Sequence, residues 1–309
     1  MFDHIKFENK DLSEYIDDFK MFLEFLSMKN FEMPTMSSYR HLWSAITPGI
    51  DSSIKTLEGI KELIGICDFI DCYVLLRKLR DNLLFDCVIA LDAESNHPYI
   101  SDEFFESVLK KDGTIDMDNF ESSMYLFLQV NRDHEESNED KKRFEDWKNN
   151  KKHYADDGWI DDWIGYKQFM DKLECNSHIY FINSKYLFKR IKRLQKETNS
   201  YVHAATFDSL TNYSLRNKEH LENIRFNLAT IKMMVVSYLM IIKSRVFNDG
   251  SYVEALEEGL EPEEGSQYWM PLGVIDALKE IKEYSPALLK YLHKNNSNNM
   301  DFSEVDPDA

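Results

Sequence analysis

The segment 66–91 constrains the fold most, because it has the pattern of a long helix with a charge in the middle of its apolar face. It contains no Pro and no Gly. At helical spacing its large apolar residues fall within about 40° of one line, and Arg80 lies on that line. These residues are Phe69, Tyr73, Leu76, Leu84, Cys87 and Leu91. A buried guanidinium keeps its charge, so Arg80 must meet a carboxylate, a set of carbonyls or a ligand.

The composition favours helices over a turn-rich β fold. The chain of 309 residues has only 10 Gly and 7 Pro, and its 43% of hydrophobic residues is enough for a sizeable core. No run alternates apolar and polar residues for long enough to predict a strand. We therefore predict an all-α helical bundle with long central helices and a charged inserted region.

Hydrophobic periodicity places the early helices. A first helix is predicted over 12–28, and its apolar side is formed by Ile16, Phe19, Phe22, Leu23 and Leu26. A short helix over 37–46 is expected to end at Pro48-Gly49. The next helix is expected to run from Ser53 into the Arg80 helix, which Asn96-His97-Pro98 ends.

The later part of the chain predicts three more helical stretches, over 179–198, 217–247 and 274–292. The first faces inward with Leu187, Ile191, Leu194 and Thr198, and the last breaks before Pro286. We interpret residues 1–294 as one domain, with 131–152 as a charged insert or mobile region. Residues 295–309 have the composition of a disordered acidic tail.

The net charge of −18 argues against general affinity for nucleic acid or anionic membranes. One predicted helix nevertheless carries a concentrated basic stripe that could hold phosphates. The stripe consists of Lys185, Lys189, Lys192 and Lys196, with Arg190 and Arg193 beside it and His203 at its far end. The alternative is an ordinary solvated face that pairs with acidic surface elsewhere in the protein.

A second basic constellation opens the long late helix. Arg216 and His220 are four residues apart and share a side of the helix. An Arg beside a His can bind a phosphate and move a proton. The alternative is that His220, which continues the apolar stripe of Ile224, is a partly buried structural residue.

The sequence predicts no metal site and no cofactor. The four cysteines form no CxxC pair and are expected to be buried thiols. Residues 108–120 end like a calcium loop but have Val108 and Lys110 where a hard cation needs oxygen ligands. The apolar run 228–242 contains Lys232, is short for a membrane span and predicts a buried core helix. Since the N-terminus lacks a signal peptide, we expect a cytoplasmic protein with no membrane contact.

Two segments resemble the paired helices of HEPN-like proteins: LLRKLRDNLLFD over 75–86 and LQKETNSYVHA over 194–204. The likeness is to bacterial members with an Arg-bearing apolar helix and a later Tyr-Val-His. That family implies an all-helical bundle, and many members are RNA-cutting toxins or phage-defence effectors, usually dimeric. Its hallmark is an Arg and a His separated by four to six residues, whereas three separate Arg216 from His220. The resemblance implies four candidate catalytic residues: Arg80, His203, Arg216 and His220.

Two hypotheses follow for the function. In the first, the protein is a HEPN-like defence or toxin-type ribonuclease that needs no metal. His203 or His220 would move the proton, Arg80 or Arg216 would stabilise the phosphorane, and the basic stripe would hold RNA.

In the second hypothesis, the protein is a non-catalytic helical interaction or sensor protein, acting as a homodimer or with a protein partner. Arg80 is then locked in a buried ion pair, with an acid on a neighbouring helix or with Asp81 of the partner subunit. Location distinguishes the two hypotheses. An Arg80 that shares an open cleft with His203 favours the enzyme, and an enclosed, paired Arg80 favours the interaction protein.

Overall fold

A computed structural model gives the fold of the protein. The structure describes residues 2–32, 38–95, 111, 166–202, 217–248, 252, 253, 255, 258–261, 272–298 and 305. Within these residues the secondary structure is helical and contains no strand, in agreement with the predicted all-α class.

Long helices make up most of the described chain. The early ones are α1 (Phe2–Glu32), α2 (Ser38–Gly65) and α3 (Phe69–Ser95). The middle ones are α4 (Tyr166–Leu173), α5 (Ser177–Ile182), a π-helical turn (Asn183–Leu187) and α6 (Phe188–Val202). The late ones are α7 (Asn217–Ile241), α8 (Leu272–Tyr284) and α9 (Pro286–Lys294).

Helix α7 lies at the centre and packs against α1, α5, α6, α8 and α9. The apolar residues predicted to face inward on the first and sixth helices are buried. The run 228–242 is also buried, which confirms it as a core helix. Among the described helices, the stretch Lys218–Ile241 is long and apolar enough to cross a membrane, but 89% of its apolar 18-residue window is buried inside the protein.

The predicted helix end at Pro48-Gly49 is wrong, because α2 continues through Pro48. Ile46 and Ile50 lie on either side of the proline and are both buried in the core. Packing of this apolar face keeps the chain helical where the local sequence would break it.

The predicted continuity of the second helix with the Arg80 helix is also wrong. Residues 66–68 form a Schellman turn between α2 and α3, in which Asp68 N donates to Leu63 O (2.8 Å) and Cys67 N to Ile64 O (3.1 Å). Cys67 has a left-handed backbone with φ 61°. Because glycine usually occupies this position, the sequence carried no signal for the break.

Helix α7 ends at Ile241, whereas we predicted that it would reach residue 247. The Asn298 side chain explains this earlier end. Its Nδ2 donates to the carbonyl oxygens of Leu239 (2.8 Å), Met240 (3.3 Å) and Ile242 (3.1 Å), and its Oδ1 accepts from Arg245 N (2.9 Å). Asn298 is thus a cap supplied from the far end of the chain.

Asn298 also corrects the predicted tail. Residues 295–298 were expected to begin a disordered segment, but Asn298 is completely buried. Val305 is 3% exposed, so it too is buried. Predictions of disorder from composition miss such a segment, because a single asparagine side chain provides most of the polar contacts that hold it.

The chain divides into two compact units, whereas the sequence pattern indicated one domain. The first is Met1–Glu94 with Phe169–Ala309, and the second is Ser95–Gln168. Apart from the end of α3 and the start of α4, the helices above belong to the first unit. The charged segment 131–152 and the calcium-like stretch 108–120 fall in the second unit, and apart from Lys111 they lie outside the described residues.

Candidate functional site

Arg80 is enclosed within the bundle and is 1% exposed. Its Nε donates to Oδ1 of Asp81 at 2.8 Å, and its Nη2 lies 2.7 Å from the same oxygen. Its Nη1 donates to Oγ1 of Thr198 at 3.2 Å. Among the described residues, its partners are therefore the next residue of the same chain and a hydroxyl of α6. This enclosure agrees with the structural alternative for Arg80, and its expected catalytic role stays a prediction.

His220 is a core residue and is 2% exposed. Its Nδ1 lies 3.1 Å from the hydroxyl of Tyr73. Its ring stacks on Phe69, with centroids 6.1 Å apart and an interplanar angle of 14°. These contacts join the first turns of α3 and α7. They agree with the structural alternative for His220, because a substrate in solution does not reach the ring.

His203 and Arg216 lie outside the described residues. Helix α6 ends at Val202, directly before His203, and α7 begins at Asn217, directly after Arg216.

The four lysines of the predicted stripe are exposed along one face of the π turn and α6. We call Lys185, Lys189, Lys192 and Lys196 the lysine row. None of their ammonium groups pairs with a carboxylate in the described part of the chain. Between residues 177 and 202 the sequence has six basic residues and one acidic residue, Glu197. The row is thus a local concentration of positive charge on an acidic protein.

Arg193 belongs to a helix interface rather than to the lysine row. Its Nε donates to Glu197 at 2.7 Å, its Nη2 donates to Asn223 at 2.5 Å, and its guanidinium lies 4.1 Å from the ring centroid of Phe226. These contacts connect α6 to α7. The expected role of Arg193 in substrate binding therefore competes with a structural one.

Arg190 also packs against neighbouring helices, on the interior side of α6. Its guanidinium lies between the rings of Phe226 (4.4 Å) and Tyr284 (4.5 Å), and its Nε donates to Thr230. Burial lowers the pKa of Arg190. The two arginines beside the stripe thus anchor α6, while the four lysines face outward.

The π turn sets the orientation of the start of the lysine row. Asn183 is buried, accepts a hydrogen bond from the Tyr238 hydroxyl (2.7 Å) and donates to Glu174 (3.0 Å). A π turn holds one residue more than an α turn, so the residues after it are rotated about the helix axis. No sequence pattern marks this turn, and we predicted an uninterrupted α-helix here.

Aromatic rings flank the lysine row, and our sequence analysis did not identify them as functional residues. On one side Phe181 stacks on Tyr291 of α9, with centroids 4.8 Å apart and an interplanar angle of 30°. The Tyr291 hydroxyl lies 2.8 Å from Nδ1 of His178. Burial, and then Tyr186, raise the pKa of Tyr291. We call His178, Phe181, Tyr186 and Tyr291 the aromatic cluster.

Two further rings, Tyr180 and Phe188, are exposed to 56% and 50%. The Lys192 ammonium lies 4.5 Å from the ring centroid of Phe188, and that of Lys185 lies 4.8 Å from Phe181. Cations and rings therefore alternate over this surface. The segment 178–188 is rich in aromatic residues, and this was the only sequence signal for an aromatic surface. Aromatic residues are usually assigned to the core, so the signal was missed.

A buried polar network lies on the interior side of α6, close enough to Arg190 for Glu280 and Tyr15 to affect its pKa. The Tyr15 hydroxyl donates to Oε2 of Glu280 at 3.0 Å, and burial followed by the Glu280 charge raises the pKa of Tyr15. The Lys232 ammonium lies 5.1 Å from the Tyr15 ring centroid, and burial lowers its pKa. This network ties α1, α7 and α8 together.

The cysteines and acids of the described residues form no metal site: no group of three or more His, Cys, Asp or Glu is placed to hold an ion there. Burial raises the pKa of Cys72 and Cys87, which makes both poor nucleophiles. Cys67 and Cys175 are exposed, which corrects our expectation of buried thiols.

Comparison with known proteins adds no identity: no family model, no curated protein and no solved structure matches the chain. The HEPN-like resemblance therefore stays a prediction. The features that bear on the function are the lysine row, the aromatic rings beside it and the burial of Arg80 and His220.

Proposed function

We propose that this is a helical RNA-binding protein of the interaction or sensor type, which holds the RNA backbone on the lysine row. One observation carries the proposal: four exposed ammonium groups share a face and pair with no carboxylate in the described part of the chain. The alternative of a solvated face neutralised by acidic surface predicts such pairs. Phosphates supply the negative charge that the face lacks.

The overall charge of −18 does not prevent this binding. Salt screens exposed charges over about 8 Å at physiological ionic strength, so an RNA phosphate responds mainly to the groups next to it. Helix α9 adjoins the row through Tyr291 and carries Lys290, His293 and Lys294 but no acid. Helix α9 therefore adds positive charge beside the row and no negative charge.

Arg80 and His220 are both buried. Their burial favours an RNA-binding protein over an enzyme that uses these two residues in catalysis. Metal-independent RNA cleavage needs a base and a cation that touch the ribose and the phosphate. Arg80 is held by Asp81 and Thr198, and His220 lies under Phe69.

The test is the affinity for a short fluorescent RNA, measured by anisotropy in chelator. We expect the Lys189→Glu/Lys192→Glu variant to lose at least about tenfold in affinity, because two phosphate contacts become repulsive. The matched control is Lys55→Glu/Lys78→Glu, which makes the same charge change at two exposed lysines on α2 and α3. Equal losses in both variants, or no RNA binding by the wild type, would refute the proposal.

A HEPN-like ribonuclease is the second candidate, favoured by the direction of the lysine row. The row runs along α6, whose last residue directly precedes His203. His203 would move the proton and Arg216 would hold the phosphate. The defence or toxin role and the dimer belong to this candidate. Cleavage of RNA in chelator by the wild type but not by His203→Ala would support it, and binding without cleavage would leave the sensor function alone.

A further inference from the structure

Exposed rings beside the lysine row point to the kind of RNA that binds there. We propose that Tyr180, Phe188 and the aromatic cluster stack against unpaired bases, so that the surface selects single-stranded RNA over duplex RNA. This inference rests on the proposed function and adds the substrate class. Its basis is the placement of the rings relative to the lysines.

Tyr180 and Phe188 lie on the same side of the helical segment. They are eight residues apart, and two turns of 3.6 residues with the one extra residue of the π turn span nearly the same length. Both rings are at least half exposed. Large aromatic side chains on a helix surface are normally covered by packing, so these two half-exposed rings leave ring surface for a ligand with flat faces, although the Lys192 ammonium lies over Phe188.

The opposite side of the row carries the aromatic cluster, whose side chains hold one another in place by direct contacts. Phe181 stacks on Tyr291, and the Tyr291 hydroxyl contacts His178. The Tyr284 hydroxyl donates to Tyr186 O at 2.8 Å, which fixes the π turn against α8. A rigid platform loses little conformational entropy when a base stacks on it.

The cations lie close to the ring faces. The Lys192 ammonium is 4.5 Å from the Phe188 centroid, and the Lys185 ammonium is 4.8 Å from that of Phe181. In a single strand, base and phosphate alternate along the chain in the same way. The surface therefore offers a ring for the base beside an ammonium for the phosphate.

Duplex RNA cannot use the rings, because its base faces are covered by neighbouring bases and its deep groove excludes side chains. A duplex contacts only the lysines. Stacking on an aromatic side chain adds between about fivefold and a hundredfold in affinity for each base. The rings therefore convert a non-selective basic surface into one that prefers single strands.

The experiment compares single-stranded and duplex RNA of equal phosphate number, by anisotropy with the full chain in chelator. The wild type should bind the single strand more tightly. Tyr180→Ala/Phe188→Ala should lose at least about tenfold for the single strand and little for the duplex. Tyr180→Phe/Phe188→Tyr keeps both rings and should bind like the wild type. Met21→Ala/Met28→Ala, which truncates two side chains on α1 that are each 57% exposed, is the control.

The possible failures are distinguishable. If neither RNA binds, the proposed function itself is wrong. If both RNAs bind equally and the alanine variant keeps its affinity, the lysine row remains the proposed RNA-binding surface and the stacking inference is overturned. Circular dichroism of each variant ensures that a loss of binding is not a loss of fold.

Discussion

Nη1 of Arg80 donates a hydrogen bond to the hydroxyl of Thr198 across 3.2 Å, and this contact joins α3 to α6. Thr198 lies on the buried face of α6, opposite the lysine row, and its hydroxyl also donates to Leu194 O at 2.8 Å. A charge buried in one helix therefore helps to position the helix that displays the proposed RNA-binding surface. The role we assign to Arg80 is structural.

Removal of the carboxylate beside Arg80 should destabilise the fold. Asp81→Asn removes the carboxylate that lies 2.7 Å from the buried guanidinium, and we expect a loss of about 2 to 3 kcal/mol in the free energy of unfolding. This is below the cost for a fully buried pair, because the Asp81 side chain is 27% exposed. Urea unfolding measures the effect. Asp17→Asn, which breaks the exposed Lys61–Asp17 pair, should cost less than about 1 kcal/mol.

The double variant Arg80→Met/Asp81→Asn should recover most of the loss caused by Asp81→Asn, because an apolar side chain of similar length replaces the buried charge. RNA affinity should stay at the wild-type level at a temperature where the variant is folded. Loss of RNA binding in a folded Arg80→Met/Asp81→Asn protein would show that Arg80 acts on the ligand.

Gly49→Ala should destabilise the protein, although alanine in a helix interior is normally better than glycine. A Cβ at residue 49 would lie 2.3 Å from Oδ1 of Asp86, so the buried Asp86 side chain or the helices that carry the two residues must shift. We expect a loss of about 1 to 3 kcal/mol. Thermal and urea unfolding test this with the variants Gly49→Ala and Gly49→Ala/Asp86→Ala. Gly65→Ala is the control, because nothing lies within 4 Å of a Cβ at residue 65. If Gly49→Ala costs the same in the Asp86→Ala background, Asp86 is not the obstacle.

Asp86 should make the stability depend on pH. Its Oδ2 is buried without a hydrogen-bond partner among the described residues, beside a cavity of about 10 Å³, and burial raises its pKa well above the usual range. The folded state therefore prefers the proton. The resulting stability is complete below the ordinary aspartate pKa of about 3.9 and is lost as the pH rises through the folded-state pKa.

We accordingly expect the free energy of unfolding of Asp86→Asn, relative to the wild type, to increase as the pH is raised from about 4 to about 8. Urea unfolding at several pH values gives this difference directly. The exposed Asp276→Asn serves as the comparison. A difference that stays constant across the pH range would mean that Asp86 titrates normally.

Asn298→Ala should loosen the end of α7. The substitution removes the hydrogen bonds to the carbonyls of Leu239 and Met240 in α7 and of Ile242 just after it. It also removes the acceptor for the backbone N–H of Arg245, a residue with a left-handed backbone and φ 55°. We expect a cost of about 2 to 4 kcal/mol, because the freed carbonyls are buried. Hydrogen exchange of the last turn of α7 should accelerate. Asn295→Ala removes a local bond to Tyr291 O and should have a much smaller effect.

Periodicity predicted the fold well wherever one face of a helix packs on the core. The apolar faces of α1, α6 and α7, the break before Pro286 and the need for an Arg80 partner all followed from spacing and burial costs. Helix ends were less predictable. Pro48 was overridden by packing on both sides, and α7 was stopped by Asn298, which lies far away in the sequence.

The candidate site was predicted only in part. The lysine row followed from charge spacing, but Arg193 and His220 turned out to have structural contacts that depend on which helix lies beside them. Tyr291 joins the site through a tertiary contact, which spacing along the chain does not show. The π turn is set by the buried Asn183, and a lone asparagine gives no distinctive sequence signal.

The salt dependence of binding to single-stranded RNA tests the central claim most directly. If all four lysines contact phosphates, the slope of log affinity against log salt should be about −3, and Lys189→Ala/Lys192→Ala should reduce it to about −1.5. A shallow slope in the wild type, or the same slope in the wild type and the variant, would contradict the assignment of the lysine row as the RNA-binding surface.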